Sequence, residues 1–182
     1  MIKKLALIIG FIICLSSCGK DYVYRIEGEL SNLEDQTVYA VFEKDNYKVV
    51  DTVACTKPGQ FQIDQHEAGF HCVTIFFADK EHWVTAYLEP GETVKITGDA
   101  NSPLLLQVKG GRTNDKLTAF KKKIAPLLTE LTNLSNSLNS KDLNDTIEET
   151  DIAARLANVN MQLSEEAIRY VKENPNEEAS VV

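Results

Sequence analysis

The chain has 182 residues, of which 43% are hydrophobic and 25% are charged, and this composition is ordinary for a globular protein with one domain, or one domain plus an appendage. Its formal net charge is −8. An acidic balance excludes the basic surface with which proteins bind nucleic acid, so no nucleic-acid partner is expected.

The N-terminus predicts a lipoprotein signal peptide over residues 1–17. A lysine pair is followed by an apolar segment that is too short to span a bilayer. The segment ends in Leu15-Ser16-Ser17-Cys18, which resembles the bacterial lipoprotein box, where the cysteine becomes the lipidated first residue of the mature chain. We therefore predict lipidation of Cys18, a lipidated tether over residues 18–21, and attachment to a membrane through this anchor.

Residues 22–109 predict an antiparallel β-domain. From Tyr22 to Leu30, apolar and polar side chains alternate, which is typical of a half-buried strand. Further short apolar segments follow, the last of them from Leu104 to Val108, and turns such as Pro90-Gly91 separate them. Short strands with regular turns favour a meander of sequential neighbours that forms a β-sandwich or partial barrel.

Residues 112–174 predict a helical hairpin, so the complete fold is expected to be α+β. Asn114 is suited to cap the first helix, and Asp115 lies in its first turn. Pro126 is expected to kink this helix without ending it, because the apolar face is worth more than the proline costs. Apolar residues recur at alternating intervals of three and four, which is a heptad pattern. They are Leu117, Phe120, Ile124, Leu127, Leu131, Leu134 and Leu138 in the first helix and Ile152, Leu156, Val159, Leu163 and Tyr170 in the second.

Some apolar residues of the helical part have no place in this heptad stripe. Leu128, Ile147 and Ile168 fall outside it and would be exposed unless something covers them. Residues 175–182 form a tail that ends on two β-branched residues, as the truncated start of a further element would. We therefore expect the helices to self-associate or to bind a partner protein.

The cysteines do not predict a redox site. If one strand separates Cys55 from Cys72, they lie about 9–10 Å apart, which is too far for a disulfide, although another strand order would allow one. No Cys-x-x-Cys motif occurs in the chain.

No catalytic, cofactor-binding or metal-binding residue is predicted. His66, His71 and His82 are scattered over turns and strand ends, and consecutive strand residues such as His71 and Cys72 point to opposite faces. Lys109-Gly110-Gly111-Arg112 precedes a helix, as anion-binding loops do, but it lacks the spacing of a P-loop, and a flexible joint is favoured. No G-x-S-x-G motif is present.

An ordered set of short motifs resembles the domain of unknown function 4369 family, over nearly all of residues 22–175. This domain resembles the N-terminal module of Gram-negative lipoproteins whose C-terminal part is a thioredoxin-like thiol–disulfide oxidoreductase. That catalytic part is missing here, so the resemblance implies a partner but no redox-active residue. The motifs are a first strand with Gly28, Val50-Asp51-Thr52, Gly59-Gln60-Phe61, Tyr87-Leu88-Glu89-Pro90-Gly91-Glu92, Ile96-Thr97-Gly98-Asp99 and Gly110-x-x-x-Asn114-Asp115.

These features predict a non-catalytic, lipid-anchored envelope module that positions or binds a thioredoxin-like oxidoreductase. The short tether, with one acid at Asp21, favours a location facing the periplasm over display on the cell surface. The outer membrane of a Gram-negative bacterium is the expected membrane, with the inner membrane as the alternative. An independent lipoprotein that binds a peptide or glycan through its β-domain is the alternative, and an unrecognised small enzyme is a third. A pocket with converging polar groups in the β-domain would favour the binding protein, whereas a bare apolar face on the helices would favour the accessory module.

Overall fold

The computed structural model of the protein describes residues 22–34, 37–78, 81–140 and 146–176, with the backbone alone at residues 139–140 and 146–148. The predicted signal peptide, the lipidation site Cys18 and the tether lie outside these residues. So do residues 177–182 of the predicted tail and the side chain of Ile147.

The strands of the described chain form two four-stranded sheets. The first sheet has the order β4-β1-β7-β8, and the second has the order β3-β2-β5-β6. The strands are β1 (Tyr24–Ser31), β2 (Thr37–Lys44), β3 (Tyr47–Ala54), β4 (Gln60–Gln65), β5 (Cys72–Phe76), β6 (Trp83–Tyr87), β7 (Thr93–Asp99) and β8 (Gln107–Lys109).

One continuous apolar core lies between the two sheets. Alternate residues of each strand point into it, as the period-two pattern predicts. Ile26 and Ile96 of the first sheet and Phe42 and Ile75 of the second are fully buried there. The two sheets do not close into a barrel, so the α+β sandwich followed by a helical hairpin is confirmed and the barrel alternative is not.

The strand order differs from the predicted antiparallel meander. β4 leaves its chain neighbour β3 and pairs with β1, and β1 also pairs with β7 in parallel. A parallel pair needs a long crossover, and here the connection from β1 to β7 runs through five other strands. Periodicity identifies the buried face of a strand but not its neighbours, so the wholly antiparallel prediction was wrong.

The last predicted strand is also shorter than expected. Residues Pro103–Leu105 form a turn of 3₁₀-helix, and β8 contains only Gln107–Lys109. Proline is suited to the first position of a helical turn because it has no N–H to leave unsatisfied. The leucines that follow it were mistaken for strand residues.

The hairpin consists of α1 (Arg112–Ser140) and α2 (Thr146–Glu173). The predicted heptad stripe holds the two helices together: Leu134, Ile152 and Val159 are buried between them. α1 continues through Pro126, as expected. The leucines packed around this centre are Leu127, Leu131, Leu138, Leu156 and Leu163.

An ion pair and an aromatic pair extend the helix–helix interface toward the C-terminus of α2. The Nζ of Lys123 lies 3.0 Å from Oε2 of Glu166, and the Phe120 and Tyr170 rings are 4.6 Å apart. The hydrogen bond from Lys123 lowers the pKa of the Glu166 carboxyl. Because Lys123 is 56% exposed, this pair lies at the solvent edge of the interface and adds little to its stability.

The other side of α1 packs against the sandwich. α1 contacts β8, the 3₁₀ turn and the end of β6. Leu128, which falls outside the heptad stripe and was expected to be exposed unless something covered it, is buried. Among the described residues, no helix is both long enough and apolar enough to cross a membrane.

Candidate functional site

The N-terminus of α1 is fixed to both sheets by two polar side chains one helical turn apart. Asn114 accepts a hydrogen bond from the Tyr87 N–H at 2.9 Å and donates to the carbonyls of Tyr87, at 2.7 Å, and Gly110, at 2.6 Å. Thr118 accepts a hydrogen bond from the Val108 N–H at 3.1 Å and donates to the Val108 carbonyl. Tyr87 ends β6 and Val108 lies in β8, so α1 connects the edge strands of the two sheets.

Asn114 is therefore not the N-cap that the sequence suggested. The helix begins at Arg112, and Asn114 is 2% exposed within the first turn. The cap is instead the carboxylate of Glu89, whose Oε1 accepts a hydrogen bond from the Arg112 N–H at 2.8 Å. A negative group at this position also stabilises the positive end of the helix dipole. This cap was missed because it lies far upstream in the sequence.

The Lys109-to-Arg112 loop joins the β and α parts, but its hydrogen bonds and tight packing argue against the expected flexibility. Gly110 donates to Asp115 at 3.2 Å and has a φ of 100°, and a Cβ there would lie 2.2 Å from the Thr93 carbonyl oxygen. An anion-binding role is disfavoured because the Glu89 carboxylate occupies the helix N-terminus. Tyr87, Glu89 and Asn114 belong to the motifs that carry the family resemblance, and here their role is architectural.

The two described cysteines lie near opposite ends of the second sheet. Cys72 pairs with Glu43 at one end of β2, whereas Cys55 follows Ala54, which pairs with Thr37 at the other end. The separation along β2 is about 20 Å at the usual rise per strand residue. A disulfide between them is excluded. The strand between the two cysteines is β2 and not β4, which the predicted meander placed there.

The histidines do not come together. His71 Nε2 lies 3.3 Å from a carboxylate oxygen of exposed Asp45, and His66 and His82 lie on other loops. Within the part of the chain that the structure describes, no group of three or more His, Cys, Asp and Glu residues could hold a metal ion.

A row of three aromatic side chains crosses the outer face of the second sheet. Tyr39 of β2 pairs with Phe76 of β5, which pairs with Trp83 of β6, so the three rings share one side of neighbouring strands. The Phe76 and Trp83 rings are 6.1 Å apart, and Trp83 is 54% exposed. We call Tyr39, Phe76 and Trp83 the aromatic row.

On one side of the aromatic row the adjacent rank carries no charge, whereas on the other side the exposed Glu81 lies in the connection between β5 and β6, two residues before Trp83. Val41, Thr74 and Thr85 form the next rank across the same strands, and the two threonine hydroxyls lie 3.1 Å apart. The nearest charged pair of these strands, Glu43 and Lys48, lies one rank further on. The sequence did not reveal this surface, because three aromatics from three strands form a row only once the register is known.

The outer face of the first sheet is different in character and highly charged. Arg25 donates to both carboxylate oxygens of Asp64, at 2.7 Å each, and Lys95 lies 3.7 Å from Glu27. The hydrogen bonds from Arg25 hold the pKa of Asp64 below its usual range. The sandwich thus has one highly charged outer face and one whose central ranks consist of aromatic, aliphatic and hydroxyl side chains.

A second apolar surface runs along α2 on the side away from α1. Met161, Ile168 and Val171 are 57%, 55% and 42% exposed, and the exposed Ala154 and Ala157 precede them. Together with the polar Ser164, these five residues follow one another along α2 at alternating intervals of three and four residues, which is again a heptad pattern. We call Met161, Ile168 and Val171 the outer stripe. The sequence analysis identified only Ile168, although the second heptad pattern was visible.

Two of the open grooves on the described surface lie beside the helices. One of about 330 Å³ lies between the 3₁₀ turn and α1, where the exposed Leu104 and Leu105 face Leu131. Another of about 280 Å³ lies beside Phe120 and Tyr170 at the end of the hairpin. Open grooves and exposed faces of this kind are suited to binding.

Comparison with known proteins identifies a family but no individual relative. No curated protein and no solved structure matches the chain. A family profile matches from the first residue of β1 to the second turn of α1. The Lys109-to-Arg112 loop and Asn114 therefore belong to the matched region, whereas most of the hairpin lies beyond it. The similarity that we expected to reach residue 175 is thus found to residue 117. With residues 24–117 matched, the chain belongs to the family described as "Domain of unknown function (DUF4369)".

Proposed function

We propose that this protein is a non-catalytic, lipid-anchored module of the Gram-negative cell envelope that binds and positions a thioredoxin-like thiol–disulfide oxidoreductase. Lipid on Cys18 would hold it at the outer membrane, facing the periplasm. The reacting thiols would belong to the partner. Disulfide exchange needs two neighbouring sulfurs, and Cys55 and Cys72 lie near opposite ends of one sheet.

The outer stripe of α2 is the observation that carries this proposal. α2 already uses its inner side to pack on α1, yet it exposes Met161, Ile168 and Val171 in a line on the other side. Because each of these side chains is already about half buried, covering the remainder is worth roughly 1 kcal/mol per residue, and rows of exposed apolar residues mark protein interaction sites. A partner can dock here without disturbing the hairpin.

Site-specific photocrosslinking in cells tests the proposal. A photoreactive amino acid at Ile168 should crosslink to a protein that contains a thioredoxin-like domain with a Cys-x-x-Cys motif, identified by mass spectrometry. The same group at Lys95, on the charged face of the first sheet, is the matched control and should give no such product. Met161→Glu should greatly reduce the crosslink from position 168.

Two results would contradict this function. One is a crosslink from position 168 that contains only a second copy of this chain, which would indicate self-association through the helices. The other is insulin reduction by the purified protein that is abolished by Cys55→Ala, because the chain would then be a redox enzyme itself.

Lipidation has its own test. Mass spectrometry of membrane-extracted protein should find an acylated N-terminal cysteine at position 18, and Cys18→Ala should release the protein from the membrane fraction. Unchanged processing and membrane association in that variant would exclude the lipid anchor.

A second candidate function is an independent envelope lipoprotein that binds a peptide or glycan through its β-domain. The aromatic row favours it, because exposed tryptophan beside two further aromatic rings is costly for a surface that binds nothing.

A further inference from the structure

We propose that the outer face of the second sheet is a binding site for a neutral glycan, whose sugar rings stack on the aromatic row of Tyr39, Phe76 and Trp83. This inference rests on the second candidate function and names its ligand class. It is independent of the outer stripe, which lies on α2.

The geometry of the row fits a chain of flat rings. Register places the three aromatic side chains on adjacent strands, and strands lie about 4.8 Å apart, so the row extends over roughly 10 Å. The Phe76 and Trp83 rings are inclined by only 38° to each other. A ligand that lies across the strands can therefore contact all three residues at once.

The chemistry of the surface favours an uncharged ligand with both apolar and hydroxyl groups. Each face of a pyranose ring presents C–H bonds, which pack on the electron-rich faces of aromatic rings. The hydroxyls of Thr74 and Thr85, in the adjacent rank, lie where they can exchange hydrogen bonds with sugar hydroxyls. Because the described residues of both ranks carry no charge, an anionic ligand would find no compensating cation there.

The charged face of the first sheet supports the same conclusion by contrast. There Arg25, Asp64 and Lys95 take the positions that aromatic and hydroxyl residues take on the second sheet. The two faces thus differ in chemistry, and the two central ranks of the second sheet are the part that suits an uncharged ligand.

A peptide is less well suited than a glycan to this face. Peptides bind to sheets chiefly by adding a strand at an exposed edge. Of the four edge strands, β6 and β8 already bond to α1, through Tyr87 to Asn114 and through Val108 to Thr118. The aromatic row lies on the face instead, where recognition depends on side chains.

The chain contains a single tryptophan, and it is Trp83, so intrinsic fluorescence reports directly on the proposed site. The full-length protein in detergent would be titrated with neutral hexasaccharides from α-glucan, β-glucan, mannan and xylan. We expect at least one of them to change the Trp83 emission in a saturable manner. Isothermal titration with that hexasaccharide would then compare the variants.

Trp83→Ala should abolish binding, and Tyr39→Ala and Phe76→Ala should each weaken it about tenfold. Tyr47→Ala is the matched control, because Tyr47 is an equally exposed aromatic residue at the β2–β3 turn, and it should leave binding unchanged. Trp83→Phe should retain part of the affinity, which separates loss of stacking from loss of fold. Far-UV circular dichroism would verify that each variant is folded.

The proposal is overturned if none of the four neutral hexasaccharides binds, or if binding survives in folded Trp83→Ala protein. It is also overturned if only an acidic oligogalacturonate or an unstructured peptide binds. The test is separate from that of the accessory function: Met161→Glu should not affect the glycan, and Trp83→Ala should not affect the crosslink from Ile168.

Discussion

At the scale of single residues, two glycines with similar backbone conformations are expected to differ in their tolerance of a side chain. Gly110 and Gly91 have φ values of 100° and 82°, but only Gly110 has a backbone oxygen 2.2 Å from where its Cβ would lie. Gly91→Ala should cost about 1 kcal/mol from backbone strain alone. Gly110→Ala adds a clash and should cost about 3 kcal/mol or more. Urea denaturation would measure the free energy of unfolding of both variants. An equal loss of stability in the two would contradict the tight packing around Gly110.

A second residue-scale prediction concerns the Arg25–Asp64 pair and pH. The hydrogen bonds from Arg25 lower the pKa of Asp64 in the folded protein, so the unfolded chain binds the proton more readily. The pair therefore contributes its full stability above the unfolded pKa of about 4, and this contribution is lost as the pH falls through the lower folded value.

Asp64→Asn should consequently make the free energy of unfolding less dependent on pH below about pH 5. Arg25→Gln should flatten the profile in the same way, because Asp64 then loses the partner that shifts its pKa. Thermal unfolding as a function of pH measures both. A profile as steep as that of the natural protein in either variant would show that other carboxylates dominate the acid response.

At the scale of elements, the two sides of α2 should respond differently to the same substitution. Val159 is 2% exposed between the helices, whereas Val171 is 42% exposed on the outer stripe. Val159→Ala leaves a cavity and should destabilise the protein by roughly 2 kcal/mol. Val171→Ala should change stability by no more than about 0.5 kcal/mol. Urea denaturation followed by circular dichroism compares them, and a large effect at Val171 would place the outer stripe against something within the chain.

The elements also show how far a single sequence predicts this fold. Periodicity located the strands and the heptad stripe, because side-chain burial repeats with the geometry of each element. It did not predict that β4 pairs with β1, since strand pairing depends on contacts that are distant in sequence. Asn114-Asp115 suggested a local helix cap, whereas Glu89 caps the helix and Asn114 bonds to β6. The aromatic row could not be predicted either, because it exists only through the pairing and register of β2, β5 and β6.

At the scale of the whole molecule, two apolar cores are joined through one helix. The sandwich and the hairpin each have their own cluster of buried residues, and α1 links them because it packs on α2 and also contacts β8, the 3₁₀ turn and β6. Asn114 and Thr118 add hydrogen bonds from α1 to the backbone of one edge strand in each sheet. These contacts between α1 and the two sheets should therefore make the sandwich and the hairpin unfold together.

This cooperativity can be measured because each core has its own probe. Trp83 fluorescence follows the sandwich, and far-UV circular dichroism is dominated by the helices. In the natural protein, both signals should give the same urea midpoint.

Asn114→Ala combined with Thr118→Ala removes the hydrogen bonds that connect α1 to both sheets and leaves the two apolar cores intact. We expect the circular dichroism midpoint to fall below the fluorescence midpoint in this double variant, because a two-helix hairpin alone is the less stable part. The pair Asn133→Ala and Asn136→Ala, two exposed residues of α1, is the control and should keep the two midpoints together. If the midpoints of the Asn114/Thr118 variant stay coincident, apolar packing of α1 on β8 is sufficient for coupling, and the polar joint is not what makes this chain one cooperative unit.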